Sequence, residues 1–420
     1  MSFLEPYTIR VSVFVCKFAL PILTELDVKY IEKHSLKAQL DLHKTSVFED
    51  FTDLVNKKKT VSMATTRLCD RIRPHICEHI RQDLLQKIRI YTLEKCPSKE
   101  YLIVKIMTEL AQNNQFAPYM AYIHDPYSYA LEWLEQFGND LCFEEPRDFY
   151  YHNAKVKMES LLSEIKVVVR SNEEKGIRHC LSNIDEKLGF IKPFLDHYLK
   201  QLGDETDLDT SDFKTTFLEE IDQMYDKLKK EFRAVNKATI RWPLETPYKS
   251  VLDHIWGCNS DCPFCLEPCI LGRDHEKMVA HRCIQHRPTG LKKWFWEDSD
   301  KLSIENCNVE VGARLSLYKC GHICTRGPPE RHTIGFIRNI FVRLGIEKFH
   351  AYKDYKKFFP DWDIVPHSDM SSSVYWAWVL CQFNAQFAAY YEKEEADIPA
   401  SWTLYTKEDA IDSLPILDNS

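Results

Sequence analysis

The sequence predicts a mainly α-helical protein, a multi-helix bundle or elongated helical array with a small zinc knuckle and a β-hairpin in its C-terminal half. Three observations predict it. Apolar residues recur at three- and four-residue steps over several long stretches, the period of a helix with one buried face. Glycine is scarce, at 12 of 420 residues, while apolar residues reach 44%. Eight cysteines and histidines crowd between Cys258 and His286, in a chain otherwise patterned for helices.

Taken in order, residues 8–35 read as one or two helices interrupted at Pro21. A helix following Pro74 places Ile76, Ile80, Leu84 and Ile88 on one face, and another apolar helix covers Tyr101 to Leu110. Asp125 caps a helix opening at Pro126. Ala130, Trp133, Leu134 and Phe137 line its apolar side, and Gly138 is placed to stop it. Met158, Leu161, Ile165 and Val168 form a further stripe; Ile184, Leu188, Ile191 and Leu195 form the next, bent at Pro193. These make up an N-terminal helical region, 1–202. The acidic, polar stretch 203–212 reads as a linker. Ser211 then caps a strong helix striped by Phe213, Phe217, Ile221, Met224, Leu228 and Phe232. With a proline-bearing connector, this helix fills 213–247.

The metal-binding segment and the hairpin after it span 248–330. Cys262 and Cys265 form a C-x2-C pair, and His281 and His286 complete a C-x15-H-x4-H pattern. Two thiolates separated by two residues bend back onto one ion, and a histidine pair one helical turn apart closes a tetrahedron, so the spacing suits zinc. The first ligand set is therefore Cys262, Cys265, His281 and His286, with Cys269, His275 and Cys283 as alternative ligands or neighbours. Four protein ligands leave no position for water, which favours structure over catalysis. From Leu302 to Cys320 apolar and polar residues alternate around Gly312, the pattern of a β-hairpin. Cys307, Cys320, His322 and Cys324 form a weaker candidate for a second metal, because C-x-H-x-C spacing is unusual. The last region, 331–420, contains an aromatic-rich helix from Ser371 to about Tyr391, capped by serine. Thr406 with Asp409 marks a capping box opening a short final helix. Trp294, Trp296, Trp362, Trp376 and Trp378 are read as core rather than as a ligand site.

Other chemistry is poorly supported. His75, Glu78 and His79 spell H-x-x-E-H, the spacing of inverted zinc metalloproteases, but no third ligand accompanies them, and the helix pattern sets them toward solvent. A net charge of −8, with acids and bases nearly balanced across the metal segment, argues against nucleic acid and anionic membranes. Fifteen cysteines scattered through helical patterns suit a reducing compartment. The opening apolar stretch is interrupted by Arg10 and Lys17 and is too short to span a bilayer, so the expected location is the cytoplasm, with the nucleus also compatible.

The run from Trp242 and Pro247-Tyr248 through GC, CPFC, Cys269, the histidines and HRPTGL resembles the C-terminal region of the interferon-induced very large GTPases. The likeness continues in DYKKFFPDWDI (Asp354 to Ile364), in YWAWVLCQFNAQFAAYY (Tyr375 to Tyr391), in ADIPASW and in TKEDAIDSL. Upstream, FAPYMAYIHDP and the helix bearing Trp133 are also similar; before residue 60 the likeness is loose. The nucleotide domain that names this family needs a G-x-x-x-x-G-K-[ST] loop to cradle phosphates. No such string occurs here, and Asn56-Lys57-Lys58-Lys59 lacks the aspartate of a guanine-reading N-K-x-D. The resemblance thus implies the family's tail without its GTPase domain, as a fragment or truncated relative, with no GTP binding by this chain. The expected function is a non-catalytic, zinc-stabilised helical module for scaffolding, assembly or regulation, acting on a protein partner or by self-assembly. The alternatives are a zinc-dependent ubiquitin-ligase-like enzyme, which needs two cross-braced metal sites, and a zinc-finger RNA binder, which the charge balance opposes.

Overall fold

The computed structural model describes residues 61–144, 148–171, 176–189, 210–242, 246–272, 279–292, 299–313, 317–319, 349–368 and 373–417. The helices expected at 8–35, the bend at Pro193 with Ile191 and Leu195, most of the acidic stretch, and Trp294 and Trp296 lie outside them. The described chain is mainly helical. Eight helices come first: α1 (Val61–Lys95), α2 (Lys99–Asn113), α3 (Phe116–His124), α4 (Pro126–Phe143), α5 (Phe149–Ser171), α6 (Ile177–Leu188), α7 (Thr210–Arg233) and α8 (Pro247–Trp256). A single helical turn, α9 (Cys307–Glu310), and two short strands, β1 (Leu317–Lys319) and β2 (Phe349–Ala351), lead to α10 (Val374–Tyr391) and α11 (Lys407–Asp412). No described helix is long and apolar enough to cross a membrane.

Two compact units divide the chain, residues 1–75 with 162–226, and residues 76–161 with 227–420. In the first, Leu68, Ile72, Ile165, Ile184, Phe213, Phe217 and Ile221 are buried. Thr66 Oγ1 donates to Glu220 at 2.9 Å, and Lys166 pairs with Asp222. In the second, the expected stripe Ile76, Ile80, Leu84 and Ile88 is almost wholly buried. There α4 packs against α2, α3 and α8, and α11 packs against α2 and α10.

Local chemistry explains most of the boundaries. Ser98 caps α2 through Tyr101 N, and Asn114 ends it in the left-handed conformation at φ 46°. Asp125 accepts from Ser128 N at 3.0 Å ahead of Pro126, and Thr406 with Asp409 forms a full capping box on α11. Ser211, expected as a cap, lies inside α7, which begins one residue earlier.

Three further local expectations fail, each for a physical reason. The helix expected after Pro74 begins at Val61 and runs through the proline. Pro74 is exposed, so its ring and missing N–H fall on the solvent side of the helix, where a proline is best tolerated. Gly138 does not stop its helix: α4 continues to Phe143, and a Cβ at Gly138 would stand 2.1 Å from Tyr248 Cε1. The glycine is a contact site for a ring on α8. The hairpin expected over Leu302 to Cys320 is replaced by other pairings. Gly290 N donates to Ser303 O at 2.8 Å, Leu302 N to Glu394 O at 3.0 Å, and Asn306 caps the turn α9. Strand β1 pairs antiparallel with the distant β2.

The first half of helix α10 is buried on nearly all sides, with Tyr375, Trp376, Ala377, Val379 and Leu380 at 0% exposure, and its second half keeps one exposed side. Its N-cap is Ser373, whose side chain makes no capping bond. The Tyr375 hydroxyl donates to Met107 O at 2.6 Å. Tyr122 stacks on Trp376, and Phe116 meets Phe387 edge-on. These aromatic contacts fasten α2 and α3 to α10. Trp362, Trp376 and Trp378 are all buried, as the core reading expects.

Candidate metal centre

The segment after α8 folds back on itself in one antiparallel register. Cys258 N donates to Leu271 O at 3.2 Å, Cys269 N to Ser260 O at 2.8 Å and Cys262 N to Glu267 O at 2.8 Å. Leu266 N returns to Cys262 O at 3.0 Å, and Leu266 takes φ 59°, a left-handed turn that a non-glycine residue adopts at a cost. The inner pair, Cys262 and Cys265, therefore sits at the tip of the knuckle. The outer pair, Cys258 and Cys269, sits below it.

Each pair meets a different histidine. Around the tip, Cys262, Cys265, His286 and Cys307 bring their ligating atoms within 4.8 Å of one another. His286 Nδ1 lies 2.9 Å from Cys307 Sγ, 3.4 Å from Cys265 Sγ and 3.6 Å from Cys262 Sγ, and the Cys262 and Cys307 sulfurs are 3.8 Å apart. Sulfur and nitrogen ligands at zinc bond lengths and tetrahedral angles stand about 3.5–3.8 Å from each other. Three of these four distances fall close to that range. All three cysteines are at 0% exposure and His286 is at 9%. The group is a buried Cys/His cluster able to hold a metal ion.

The second group, also within 4.8 Å, is Cys258, Cys269 and His281. The structure thus separates the two histidines expected on one ion and recruits Cys307, which the sequence suggested only for a different site, to stand beside His286. Cys283 lies at the rim, 3.4 Å from His286 Nδ1 and 3.5 Å from Nε2. His275, Cys320, His322 and Cys324 lie outside the described residues. At the other motif, Glu78 Oε1 accepts from Gln82 within α1, and His75, Glu78 and His79 belong to no metal-ligating group among the described residues.

The electrostatics of the tip cluster match its crowding. Burial opposes a thiolate at Cys265, but hydrogen bonds from Cys262, Cys283 and Cys307 and the adjacent His286 hold its pKa well below the ordinary thiol value. Burial pushes Cys307 and Cys283 well up, and the neighbouring Cys262 and Cys265 add to both shifts. Burial would lower His286, yet the negative Cys265 and its hydrogen bonds to Cys262 and Cys265 raise it to about 10.

The residues between the ligands fasten the surrounding helices. Gln285 donates to Ser413 O at 2.8 Å, just past α11, and accepts from Tyr375 N at the start of α10. Arg287 is fully buried: its Nε donates to Cys265 O at 3.1 Å, and its Nη2 to Leu266 O at 2.8 Å. Its Nε also lies 2.9 Å from Glu267 Oε2, and its guanidinium lies over the Trp376 ring. Asn306 donates to His286 O at 2.7 Å. Lys292 reaches Ile123 O at the end of α3, the Tyr391 hydroxyl donates to Leu291 O, and Lys99 of α2 donates to Cys258 O. At Gly290 the backbone passes so close to Ser303 that a Cβ would lie 2.4 Å from its carbonyl oxygen. The run from His286 to Leu291 thus supplies a ligating atom, a buried cation and a close backbone approach in succession.

Comparison with known proteins gives the chain its relatives. Residues 258–332 and 336–414 match the family described as "Interferon-induced very large GTPase 1, C-terminal domain". Mouse interferon-induced very large GTPase 1 is 22% identical over 428 residues, covering 98% of this chain and 16% of that protein. The chain therefore spans less than a fifth of the length of that relative. No solved structure matches.

Proposed function

We propose that this chain, which carries the C-terminal domain of the interferon-induced very large GTPases, acts as a non-catalytic helical module stabilised by zinc. In this reading Cys262, Cys265, His286 and Cys307 are the ligands, and the module serves assembly or regulation through protein contacts or self-association. One observation carries it: the buried tip cluster is complete with four protein atoms, and the residues threaded between them fasten α3, α10 and α11. An ion there is an organiser of packing, without an open coordination position for a substrate. Three thiolates and one imidazole favour zinc over the hard, oxygen-seeking cations. The negative charge of such a set is balanced from nearby, because Lys292 and Arg287 both lie close to the knuckle. Cys283, whose thiol pKa burial pushes well up, stands beside the ring of His286 as a neighbour. GTP binding is not expected of this chain, and protein partners rather than nucleic acid fit the balanced charge of the metal segment.

The test is elemental mass spectrometry on protein purified without added zinc, alongside unfolding curves before and after chelation and a GTP-binding control. Retained zinc, with a large loss of stability on its removal, supports the reading; structural zinc contributes on the order of 10 kcal/mol to folding. Protein that carries no zinc, or melts identically after stripping, would refute it.

A further inference from the structure

We infer that the chain binds a second zinc ion through Cys258 Sγ, Cys269 Sγ and His281 Nδ1, and that its two sites are interleaved along the sequence. The inference rests on the structural-zinc reading of the tip cluster, and its test separates the two.

Four observations converge on this trio. The three ligating atoms lie within 4.8 Å of one another, with Cys258 Sγ 3.3 Å from His281 Nδ1. Each sulfur accepts from a backbone amide two residues on: Ser260 N reaches Cys258 Sγ at 3.4 Å, and Leu271 N reaches Cys269 Sγ at 3.5 Å. Amides aimed at sulfur favour the thiolate, the form that binds a metal. His281 is also held in place from outside the knuckle. Its N–H donates to Asp361 O at 2.6 Å, its carbonyl accepts from Asp363 N at 2.9 Å, and its ring lies against Trp362 at 5.3 Å. A histidine fixed on both sides of its backbone and on its ring face arrives preorganised. Lastly, Ile270 N donates to Arg282 O at 3.0 Å, joining the strand of Cys269 to that of His281 independently of any ion.

The order of ligands then acquires a meaning. Cys258 belongs to the outer site, Cys262 and Cys265 to the tip, Cys269 and His281 to the outer site, and His286 and Cys307 to the tip again. Ligands of one ion alternate with those of the other, so neither ion can leave without loosening the loops that hold its neighbour. Two thiolates and one imidazole neutralise a divalent cation and leave the fourth position to water or a further side chain, unlike the closed tip.

The experiment is a zinc count by native mass spectrometry on the whole chain, loaded with zinc alone, for the parent and three variants. Two ions are expected in the parent and in His281→Cys, which keeps a ligating sulfur. One is expected in Cys258→Ser/His281→Ala, and one in Cys262→Ser/Cys307→Ser. A parent with one ion, lost in Cys262→Ser/Cys307→Ser and kept in Cys258→Ser/His281→Ala, overturns the second site and leaves the first. The converse pattern overturns the tip site instead, and no ion at all overturns both. A Cys258–Cys269 disulfide in the reduced, zinc-loaded parent also overturns the second site. The parent's count stands even if a variant fails to fold.

Discussion

Replacing Arg287 with methionine tests whether the knuckle is locked into the helical core by one buried cation. Arg287 is at 0% exposure and Glu267 at 1%, with Arg287 Nε 2.9 Å from the carboxylate. The same guanidinium satisfies the carbonyls of Cys265 and Leu266, and its face covers Trp376. Methionine fills much of the volume but takes the guanidinium from the buried carboxylate, leaving it the Tyr122 hydroxyl at 3.5 Å, and removes the donors to two knuckle carbonyls. Removing one member of a buried pair costs roughly 3–5 kcal/mol, against a total domain stability of about 5–15 kcal/mol. The assay is urea unfolding of zinc-loaded protein, read as a shift in midpoint at constant slope. Adding Glu267→Met removes the stranded charge and should restore part of the loss, while the two carbonyls remain unsatisfied. A single variant within about 1 kcal/mol of the parent, or a double variant worse than the sum of the two singles, would refute the reasoning.

Other substitutions test separate contacts. Gly138→Ala should destabilise by about 1–3 kcal/mol, although helix propensity alone predicts a gain, because the new Cβ meets the buried Tyr248 ring; equilibrium unfolding decides the sign, and Tyr248→Leu should relieve the clash. Leu266→Gly should leave zinc content unchanged and be neutral or stabilising by up to about 1 kcal/mol, since φ 59° suits glycine and the leucine is exposed; a clear loss by the same assay would count against the turn. Lys292 is pushed down to about 8 by burial and then by Arg287. The folded state accordingly binds fewer protons than the unfolded one between about 8 and the ordinary 10.5, so its contribution raises stability with pH across that window. In matched unfolding series, Lys292→Met should flatten that rise.

The helices were readable because a stripe needs only local information. Phe213, Phe217, Ile221, Met224, Leu228 and Phe232 recur at the helical period and are all buried, and Asp125-Pro126 and Thr406-x-x-Asp409 cap by contacts within four residues. What escaped was set by distant partners. Nothing near Gly138 announces a tyrosine ring arriving from α8. The metal segment shows both cases. The clustering of cysteines and histidines was plain, but the spacing C-x2-C…H-x4-H assigns both histidines to one ion only if the chain between them stays local. His281 is drawn aside by its backbone pairing with Asp361 and Asp363, far along the sequence, and Cys307 is held beside His286 by Asn306, whose Nδ2 donates to His286 O. One signal was available in the sequence itself. Cys258-x3-Cys262-x2-Cys265-x3-Cys269 is symmetric about its centre, and a hairpin folded at that centre separates an inner pair from an outer pair.

That symmetry bears on why the metal segment is the hub of its unit. A knuckle alone buries little apolar surface, and segments of its size depend on metal for stability. Here Phe264 packs against Tyr352, Tyr355 and Phe359, residues the chain reaches only after β1 and β2. Trp362 and Ile364 join the same buried cluster as Cys262, Cys265, Cys269 and Cys307. Through Gln285 and Arg287, the other face of the segment grips α10 and α11. The clustered cysteines are therefore core residues as much as candidate ligands, and disordering the knuckle would expose apolar surface on both of its sides. For this reason damage to a tip ligand should spread to the Tyr375 and Trp376 contacts with α2 and α3, not stay within the loop. Hydrogen exchange on Cys307→Ser decides the point: faster exchange confined to residues 258–292 would mean that the helices hold together without the metal segment, whereas loss of protection in α10 as well would establish it as their common anchor.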